Sequence, residues 1–280
     1  MISRALVIVL PLLCGLFAQA APPVPLIHAH AHNDYLHPRP LLDALDHGFC
    51  SVEADVFLVN GELLVAHKRT EVKPGQTLQK LYLEPLRARV EQNGGRVFPG
   101  GPEFTLLIDL KSAWTNTYPA LRTVLANYAD VLSAFRGNAK RTNAITVILT
   151  GDRAPEMFAG EVIRFAAYDG TSNDLASTLP ANLIPWISGD WKKQFTWNGH
   201  GAIPPGEKSR LTQLVATAHE HGRRVRFWGA PDSAACWAAL LAAGVDLINT
   251  DDLAGLEKHL NGKTVSPGTS SGTPSRSRAK

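Results

Sequence analysis

The chain contains little cysteine, no short repeat and no apolar run long enough to cross a bilayer. Only 3 of its 280 residues are Cys, 19% are charged and 45% are hydrophobic. This ordinary apolar fraction, without a repeat, excludes a disordered, collagen-like or coiled-coil protein. The length and apolar fraction therefore indicate a globular protein that can bury a sizeable core.

The sequence also lacks a global basic field. The formal net charge is +3, but basic residues near the two ends account for more than this excess: Arg4, Lys263, Arg276, Arg278 and Lys280. The remaining body is slightly acidic, which argues against a nucleic-acid partner.

The two ends differ in composition from the body. Residues 1–21 combine Arg4, an apolar stretch from Ala5 to Phe17 and the small-x-small sequence Ala18-Gln19-Ala20, which is typical of a cleaved signal peptide. The apolar stretch is shorter than the roughly 20 residues of a membrane span. Residues 262–280 are rich in Ser, Gly, Pro and Thr, which predicts a disordered tail. We therefore expect an exported protein with one domain over residues 22–261.

Two cysteines, Cys50 and Cys236, remain after the predicted cleavage. In an oxidising compartment they could form a disulfide or stay as two buried thiols. The sequence leaves both states open.

The body alternates between buried strands and helices. Eight apolar runs predict strands at 26–31, 51–57, 104–110, 144–149, 164–168, 183–188, 223–229 and 245–250. Helical stretches lie between them, at 39–47, 76–92, 117–135, 153–159, 172–178, 207–221, 232–243 and 252–260. This rhythm predicts a single-domain α/β fold, a (β/α)₈ TIM barrel. A doubly wound sheet is disfavoured, because no Gly-rich phosphate loop follows the first strand.

The second strand is expected to turn back on itself. Asn60-Gly61 separates two apolar runs, 51–59 and 62–67, and Asn-Gly in this position is a strong hairpin signal. His67 would therefore return to the end of the second strand.

Charged residues cluster at the carboxyl ends of the predicted strands, where barrel enzymes place their active groups. Glu53 and Asp55 share one face of the second strand, and Asp109 and Lys111 share one face of the third. Neighbouring carboxylates tolerate one another when a cation lies between them. Three oxygen donors predict a site for one divalent cation, Mg²⁺ or Ca²⁺.

His32 and His67 are the predicted acid/base residues. They follow neighbouring strands, and histidine exchanges protons near neutral pH. Lys111 would face the same site and stabilise negative charge that develops during phosphoryl transfer.

The order of these residues resembles the phospholipase C-like phosphodiesterase superfamily. The segment 53–67, EADVFLVNGELLVAH, is similar to the part of glycerophosphodiester phosphodiesterases that carries two metal-binding acids and a catalytic histidine. His32-Asn33-Asp34-Tyr35 resembles the His-Asn-x-Tyr of phosphoinositide-specific phospholipases C. The chain as a whole is most similar to the branch that includes altered inheritance of mitochondria protein 6.

The resemblance implies a phosphoric diester hydrolase that acts on a glycerophosphodiester or a phospholipid headgroup. It implies Glu53, Asp55 and Asp109 as metal ligands, with Asn33 as a fourth. His32 and His67 would be the general acid/base pair, and Lys111 would assist the transition state. Two departures bear on the substrate: His32 is not followed by Arg-Gly, and Asp109 stands where Glu is more usual.

Three alternatives remain from the sequence. His28, His30, His32 and Asp251 could instead hold the metal of an amidohydrolase-type enzyme, although such a site also needs histidines from middle strands. A phospholipase D-like enzyme for sphingomyelin or lysophospholipids would use the same residues, with at most transient contact with a membrane surface. Trp228, with other Trp residues, could form the wall of a substrate site or of a ligand-binding barrel without turnover.

Overall fold

The computed structural model describes residues 22–263, and within that range eight parallel strands close into a barrel. We number the barrel strands β1 to β8: Leu26–Ala31, Phe49–Val59, Phe104–Leu110, Ile145–Gly151, Ala166–Gly170, Trp186–Asp190, Arg224–Trp228 and Leu247–Thr250. Each strand pairs with the next one along the chain, and β1 pairs with β8. The predicted barrel is confirmed. The predictions for residues 1–21 and 264–280 lie outside the described residues.

Helices surround the barrel and cover its apolar outer face. They are α1 to α7: Leu42–Asp46, Glu84–Gln92, Trp114–Ala126, Trp191–Gln194, Pro205–Glu220, Ala234–Ala242 and Leu253–Lys263. A π-helical turn, Gln79–Leu83, leads into α2. Among the described residues, no helix combines the length and the apolarity that a membrane span requires.

The predicted hairpin after β2 is confirmed. A return strand, Glu62–Val65, pairs antiparallel with the end of β2, and Val59 faces Glu62 across the turn. Asn60 and Gly61 both have positive φ, 52° and 85°, as a two-residue type I′ turn requires. The hairpin brings His67 back beside Asp55.

Three predicted helices are wrong in part. The helix expected over 117–135 ends at Ala126, because residues 134–136 form a short hairpin with 139–141 around Gly137. The segments 153–159 and 172–178 form only 3₁₀ turns, Pro155–Phe158 and Ser172–Asp174. Both segments connect strands at the side of the barrel that faces the cavity described below.

The barrel interior has an apolar lower layer and a polar upper layer. Buried apolar side chains fill the lower layer: Leu107, Phe135, Ile148, Ala167, Trp186 and Leu247. Strand residues point to the same side every second position. On five strands, the residue two positions after the apolar one therefore also points inward. These residues are polar and form the upper layer: Asp109, Thr150, Asp169, Ser188 and Asn249. The apolar layer closes the barrel from below and leaves the polar layer at the carboxyl ends of the strands.

The two cysteines among the described residues are thiols. Cys50 and Cys236 are both buried and unpaired, and burial raises the pKa of each thiol to about 12. Neither is therefore suited to act as a nucleophile.

Candidate active site

Three carboxylates meet at the top of β2 and β3. Asp55 on β2 lies directly opposite Asp109 on β3, and Glu53 is two residues before Asp55. One carboxylate oxygen from each of these residues lies within 4.8 Å of the others. Among the described residues, no other group of three His, Cys, Asp or Glu side chains is arranged in this way.

The cluster fits a hard divalent cation. Oδ1 of Asp55 and Oδ1 of Asp109 are buried and make no hydrogen bond, so each has a lone pair available for a ligand. Gly151, at the end of β4 with φ +81°, leaves this space open, since a Cβ there would lie 2.0 Å from Oδ1 of Asp109. Carboxylate oxygens suit Mg²⁺ or Ca²⁺. The residues present could therefore hold the predicted cation.

Lys111 neutralises part of the cluster. Its Nζ donates to Oδ2 of Asp109 at 2.6 Å and lies 3.1 Å from Oδ2 of Asp55. Both contacts use Oδ2 atoms, which leaves the Oδ1 atoms free. Lys111 also lines the cavity above the cluster, where sequence analysis placed it.

The charge state of the cluster is set by its neighbours. Burial and the charges of Asp109 and Glu53 raise the pKa of Asp55 to about 6, against the opposing hydrogen bond from Tyr35 and charge of Lys111. Burial also acts to raise the pKa of Glu53, but the Arg226 guanidinium and His30 lower it well below its usual range. A bound cation would relieve the repulsion that acts on Asp55.

His32 follows β1 and faces the cluster from the other side. Its Nδ1 lies 2.9 Å from Oδ1 of Asp251, at the end of β8, and its Nε2 lies 4.0 Å from Oε2 of Glu53. Burial opposes protonation of His32, but the hydrogen bond to Asp251 and the charge of Glu53 outweigh it and raise the pKa. A carboxylate that accepts from Nδ1 fixes the ring orientation and leaves Nε2 toward the site.

We expect Asp251→Asn to lower kcat by about 10- to 100-fold, the range typical for loss of a side chain that orients a site histidine. The amide keeps the shape but removes the charge that stabilises protonated His32. Asp252→Asn, at the neighbouring exposed position, is the matched control and should keep the wild-type kcat. Equal kcat values for Asp251→Asn and wild type would show that Asp251 does not act through His32.

His67 lies on the opposite side of the cluster, next to Tyr35. The Tyr35 hydroxyl lies 3.0 Å from Nδ1 of His67 and 2.7 Å from Oδ2 of Asp55. Oδ1 of Asn33 accepts from this hydroxyl at 2.8 Å, and Nδ2 of Asn33 lies 2.9 Å from Nδ1 of His32. Burial, with the hydrogen bond to Asp55, raises the pKa of Tyr35 well above its ordinary value, so the hydroxyl keeps its proton.

A cavity of about 770 Å³ opens above these residues. Seven of the eight residues predicted for the site line it: His32, Asn33, Glu53, His67, Asp109, Lys111 and Trp228. The eighth, Asp55, lies below the cavity and accepts a hydrogen bond from Tyr35. The far wall is polar and includes Arg153, Asn173, Asp190 and Lys193. Trp228 lines the cavity and is 41% exposed. The predicted site residues therefore surround one cavity.

Arg226, which was not among the predicted site residues, lies in the polar layer of the barrel. Its guanidinium donates to Oε2 of Glu53 at 3.3 Å and to Oδ1 of Asn249 at 3.0 Å, and it lies 3.8 Å from buried Asp169. Strand residues two positions apart point to the same side, so Arg226 could have been assigned to the side of β7 on which Trp228 lies. Asp169 was missed because the predicted fifth strand ended at 168, whereas β5 continues to Gly170.

The rival histidine metal site is not formed. Both nitrogens of buried His30 already have partners, Ser51 and Arg226, and burial lowers the pKa of His30 to about 4. Nδ1 of His28 bonds to the backbone oxygen of Asp246. His30 therefore supports the floor of the site.

Two family models and several curated proteins match this chain. Residues 19–169 match the AIM6-like phosphodiesterase domain, and residues 224–254 match the glycerophosphoryl diester phosphodiesterase family. Altered inheritance of mitochondria protein 6 of Eremothecium gossypii is 31% identical, over 83% of this chain and 69% of that protein. A homolog of that protein in Arthroderma benhamiae is 29% identical, over 81% of this chain and 82% of its own length.

Two solved structures share the fold. A glycerophosphodiester phosphodiesterase from Agrobacterium tumefaciens has a TM-score of 0.50 at 15% identity, covering 84% of this chain and 100% of that one. The corresponding protein from Parabacteroides distasonis has a TM-score of 0.51 at 14% identity, covering 85% and 98%. At these identities the likeness concerns the barrel alone. The chain thus belongs to the AIM6-like phosphodiesterase domain family, within the superfamily that includes the glycerophosphodiester phosphodiesterases.

Proposed function

We propose that this protein is a metal-dependent phosphoric diester hydrolase for a glycerophosphodiester or a phospholipid headgroup. One observation carries the proposal: His32 and His67 flank a three-carboxylate cluster at the floor of a single cavity. Two proton-transfer groups on either side of a cation site match the needs of phosphodiester cleavage.

Each histidine would move one proton. One of the pair removes the proton of the attacking hydroxyl, and the other donates a proton to the departing oxygen as the P–O bond breaks. Nδ1 of each ring is engaged, by Asp251 for His32 and by Tyr35 for His67, so Nε2 is the atom that exchanges protons. The attacking hydroxyl would belong to the substrate itself or to water.

The other site residues would bind and orient the substrate. Glu53, Asp55 and Asp109 would hold Mg²⁺ or Ca²⁺, with Asn33 beside them, and the bound cation would supply charge stabilisation to the phosphoryl oxygens. Lys111, next to Asp109, would add a second positive charge. Trp228 would pack against the part of the substrate that lies beyond the phosphate.

Two further parts of the proposal concern the place of action. Export rests on residues 1–21, and contact with a membrane surface, if the substrate is a lipid, would be transient. The body of the chain offers no basis for a nucleic-acid partner, because it lacks a basic excess.

A substrate series with product analysis tests the function. Bis(p-nitrophenyl) phosphate, glycerophosphocholine, phosphatidylinositol and sphingomyelin would each be incubated with the protein and Mg²⁺ or Ca²⁺. We expect turnover of at least one ester, with the products identified by ³¹P NMR. Release of free choline from sphingomyelin would instead indicate the phospholipase D-like reaction. Binding of metal without turnover of any ester would contradict the proposal and favour a ligand-binding barrel.

A further inference from the structure

Tyr35 lies between His67 and Asp55 and is neither a cation ligand nor a proton-transfer residue in the proposed reaction. Tyr35 reaches the site from the 3₁₀ turn Asp34–Leu36 that follows β1. Its ring lies against that of His67, with centroids 6.3 Å apart and planes inclined by 21°. Its hydroxyl is the nearest hydrogen-bonding group to Nδ1 of His67, at 3.0 Å, whereas Oδ2 of Asp55 lies 3.4 Å from that nitrogen.

The hydroxyl has one proton, and the charges around it decide where the proton points. The carboxylate of Asp55 is the closest acceptor, at 2.7 Å, and a charged acceptor makes the stronger hydrogen bond. The proton is therefore directed to Asp55. The Tyr35 oxygen is then left as an acceptor toward Nδ1 of His67. Oδ1 of Asn33 is a second acceptor, at 2.8 Å, but it is uncharged and lies slightly farther from the hydroxyl than the Asp55 carboxylate does, so Asp55 is the preferred acceptor.

We propose that Tyr35 is a positioning residue that relays a hydrogen bond from Nδ1–H of His67 to the carboxylate of Asp55. The relay selects the His67 tautomer that carries its proton on Nδ1. Nε2 then has a free lone pair, and among the described residues no partner lies within hydrogen-bonding distance of it. The histidine is thereby held ready to accept a proton from the cavity side.

The turn that carries Tyr35 is anchored independently of the site. The adjacent Asp34 is fully buried, and its Oδ2 accepts from the backbone N–H of Leu41 at 2.5 Å and from the hydroxyl of Tyr82 at 2.9 Å. These contacts hold the turn through Asp34, whose partners Leu41 and Tyr82 are not among the predicted site residues. The Tyr35 ring therefore has a defined position before any substrate or cation binds, as an orienting group requires.

The proposal rests on the proposed function for its effect on rate, but the tautomer can be measured without turnover. Protein with ¹⁵N-labelled histidine would be studied by long-range ¹H–¹⁵N NMR, first in EDTA and then with Mg²⁺ or Ca²⁺. The signals of His67 are identified by their loss in His67→Gln. In wild type we expect the neutral ring of His67 to be the Nδ1–H tautomer. In Tyr35→Phe, which removes only the hydroxyl oxygen, we expect a shift toward the Nε2–H tautomer that free histidine prefers.

Kinetics distinguishes this role from a merely structural one. Tyr35→Phe should lower kcat by about 10- to 100-fold and leave KM within about threefold, since the hydroxyl acts through His67 and the Trp228 side of the cavity is unchanged. Tyr128→Phe is the matched control, because the Tyr128 ring packs under the Arg87 guanidinium away from His67, and it should match wild type in both readouts.

The outcomes separate the two proposals. An Nε2–H tautomer of His67 in wild type, or an unchanged tautomer in Tyr35→Phe, would overturn the relay whatever the activity. The expected tautomer shift, in a protein that cleaves none of the phosphodiesters tested, would support the relay and count against the proposed function alone.

Discussion

Replacing His67 with alanine is expected to lower kcat by about 10²- to 10⁴-fold, the usual contribution of a general acid or base. The side chain is 45% exposed, so its removal leaves no buried cavity and should not change the melting temperature. His32→Ala should lower kcat over the same range, because each histidine handles a different proton. Steady-state kinetics on the best phosphodiester substrate, with circular dichroism of each variant, measures both effects.

The control for these variants is a histidine outside the site. His221 directly follows α5 and its Nδ1 bonds to the backbone oxygen of Thr217, so His221→Ala should keep the wild-type kcat. Wild-type turnover by His67→Ala would remove His67 from the mechanism. A loss of kcat that accompanied a lower melting temperature would be assigned to misfolding, and His67→Gln, which retains a polar side chain, would then be compared.

Replacing Asp55 with asparagine is expected to weaken cation binding by more than about 10- to 100-fold. That range is the usual cost of losing a side chain that only supports a metal ligand, whereas Asp55 would itself be a ligand. Asp55 contributes both a charge and an unpaired Oδ1 to the cluster, and the amide provides neither a charge nor two equivalent oxygens. Isothermal titration of Mg²⁺ and Ca²⁺ into the metal-free protein would give the change in Kd. Turnover should fall with cation occupancy.

In the metal-free protein, Asp55→Asn should not lower the stability of the fold. The pKa of Asp55 in the folded protein, about 6, lies above its value in an unfolded chain, about 3.9. Ionisation of Asp55 at pH 7 therefore lowers the free energy of unfolding. This destabilisation is absent below the pKa of the unfolded state and complete above the pKa of the folded state. Removing the charge should leave the melting temperature in EDTA unchanged or higher, while the rise on adding cation is lost.

Asp46→Asn is the matched control for Asp55→Asn. Asp46 is an exposed residue that pairs with Arg39, so its substitution should leave the affinity for both cations unchanged. Undiminished binding of Mg²⁺ and Ca²⁺ by Asp55→Asn would contradict the cation site as drawn. The carboxylate cluster would then be a structural arrangement held together by Lys111.

The parts of the site that could be predicted from sequence follow short-range rules. Glu53 and Asp55 were assigned to one face because strand residues alternate, and Asn60-Gly61 placed His67 beside them because that pair forms a tight turn. The barrel itself follows from eight apolar runs of strand length. These features depend only on local periodicity and turn geometry, so they can be read without a structure.

The parts that were missed depend on contacts between distant segments. Asp251 orients His32 across 219 positions of the chain, and only the β1–β8 pairing that closes the barrel brings them together. In the sequence, Arg226 is a charged residue between two apolar residues of a strand. Its side chain contacts Glu53, Asn249 and Asp169, which lie on three other strands. The helix expected over 117–135 was wrong because residues 134–136 pair with 139–141, an association that overrides local helix propensity.

The cation dependence of phosphodiester hydrolysis by the wild-type protein shows whether the carboxylate cluster takes part in turnover. Initial rates on bis(p-nitrophenyl) phosphate would be measured after removal of metal with EDTA and again after titration with Mg²⁺ or Ca²⁺. We expect EDTA to reduce the rate to background and one of these cations to restore it. A full rate in EDTA would contradict metal-dependent hydrolysis, because the carboxylate cluster would then have no part in turnover.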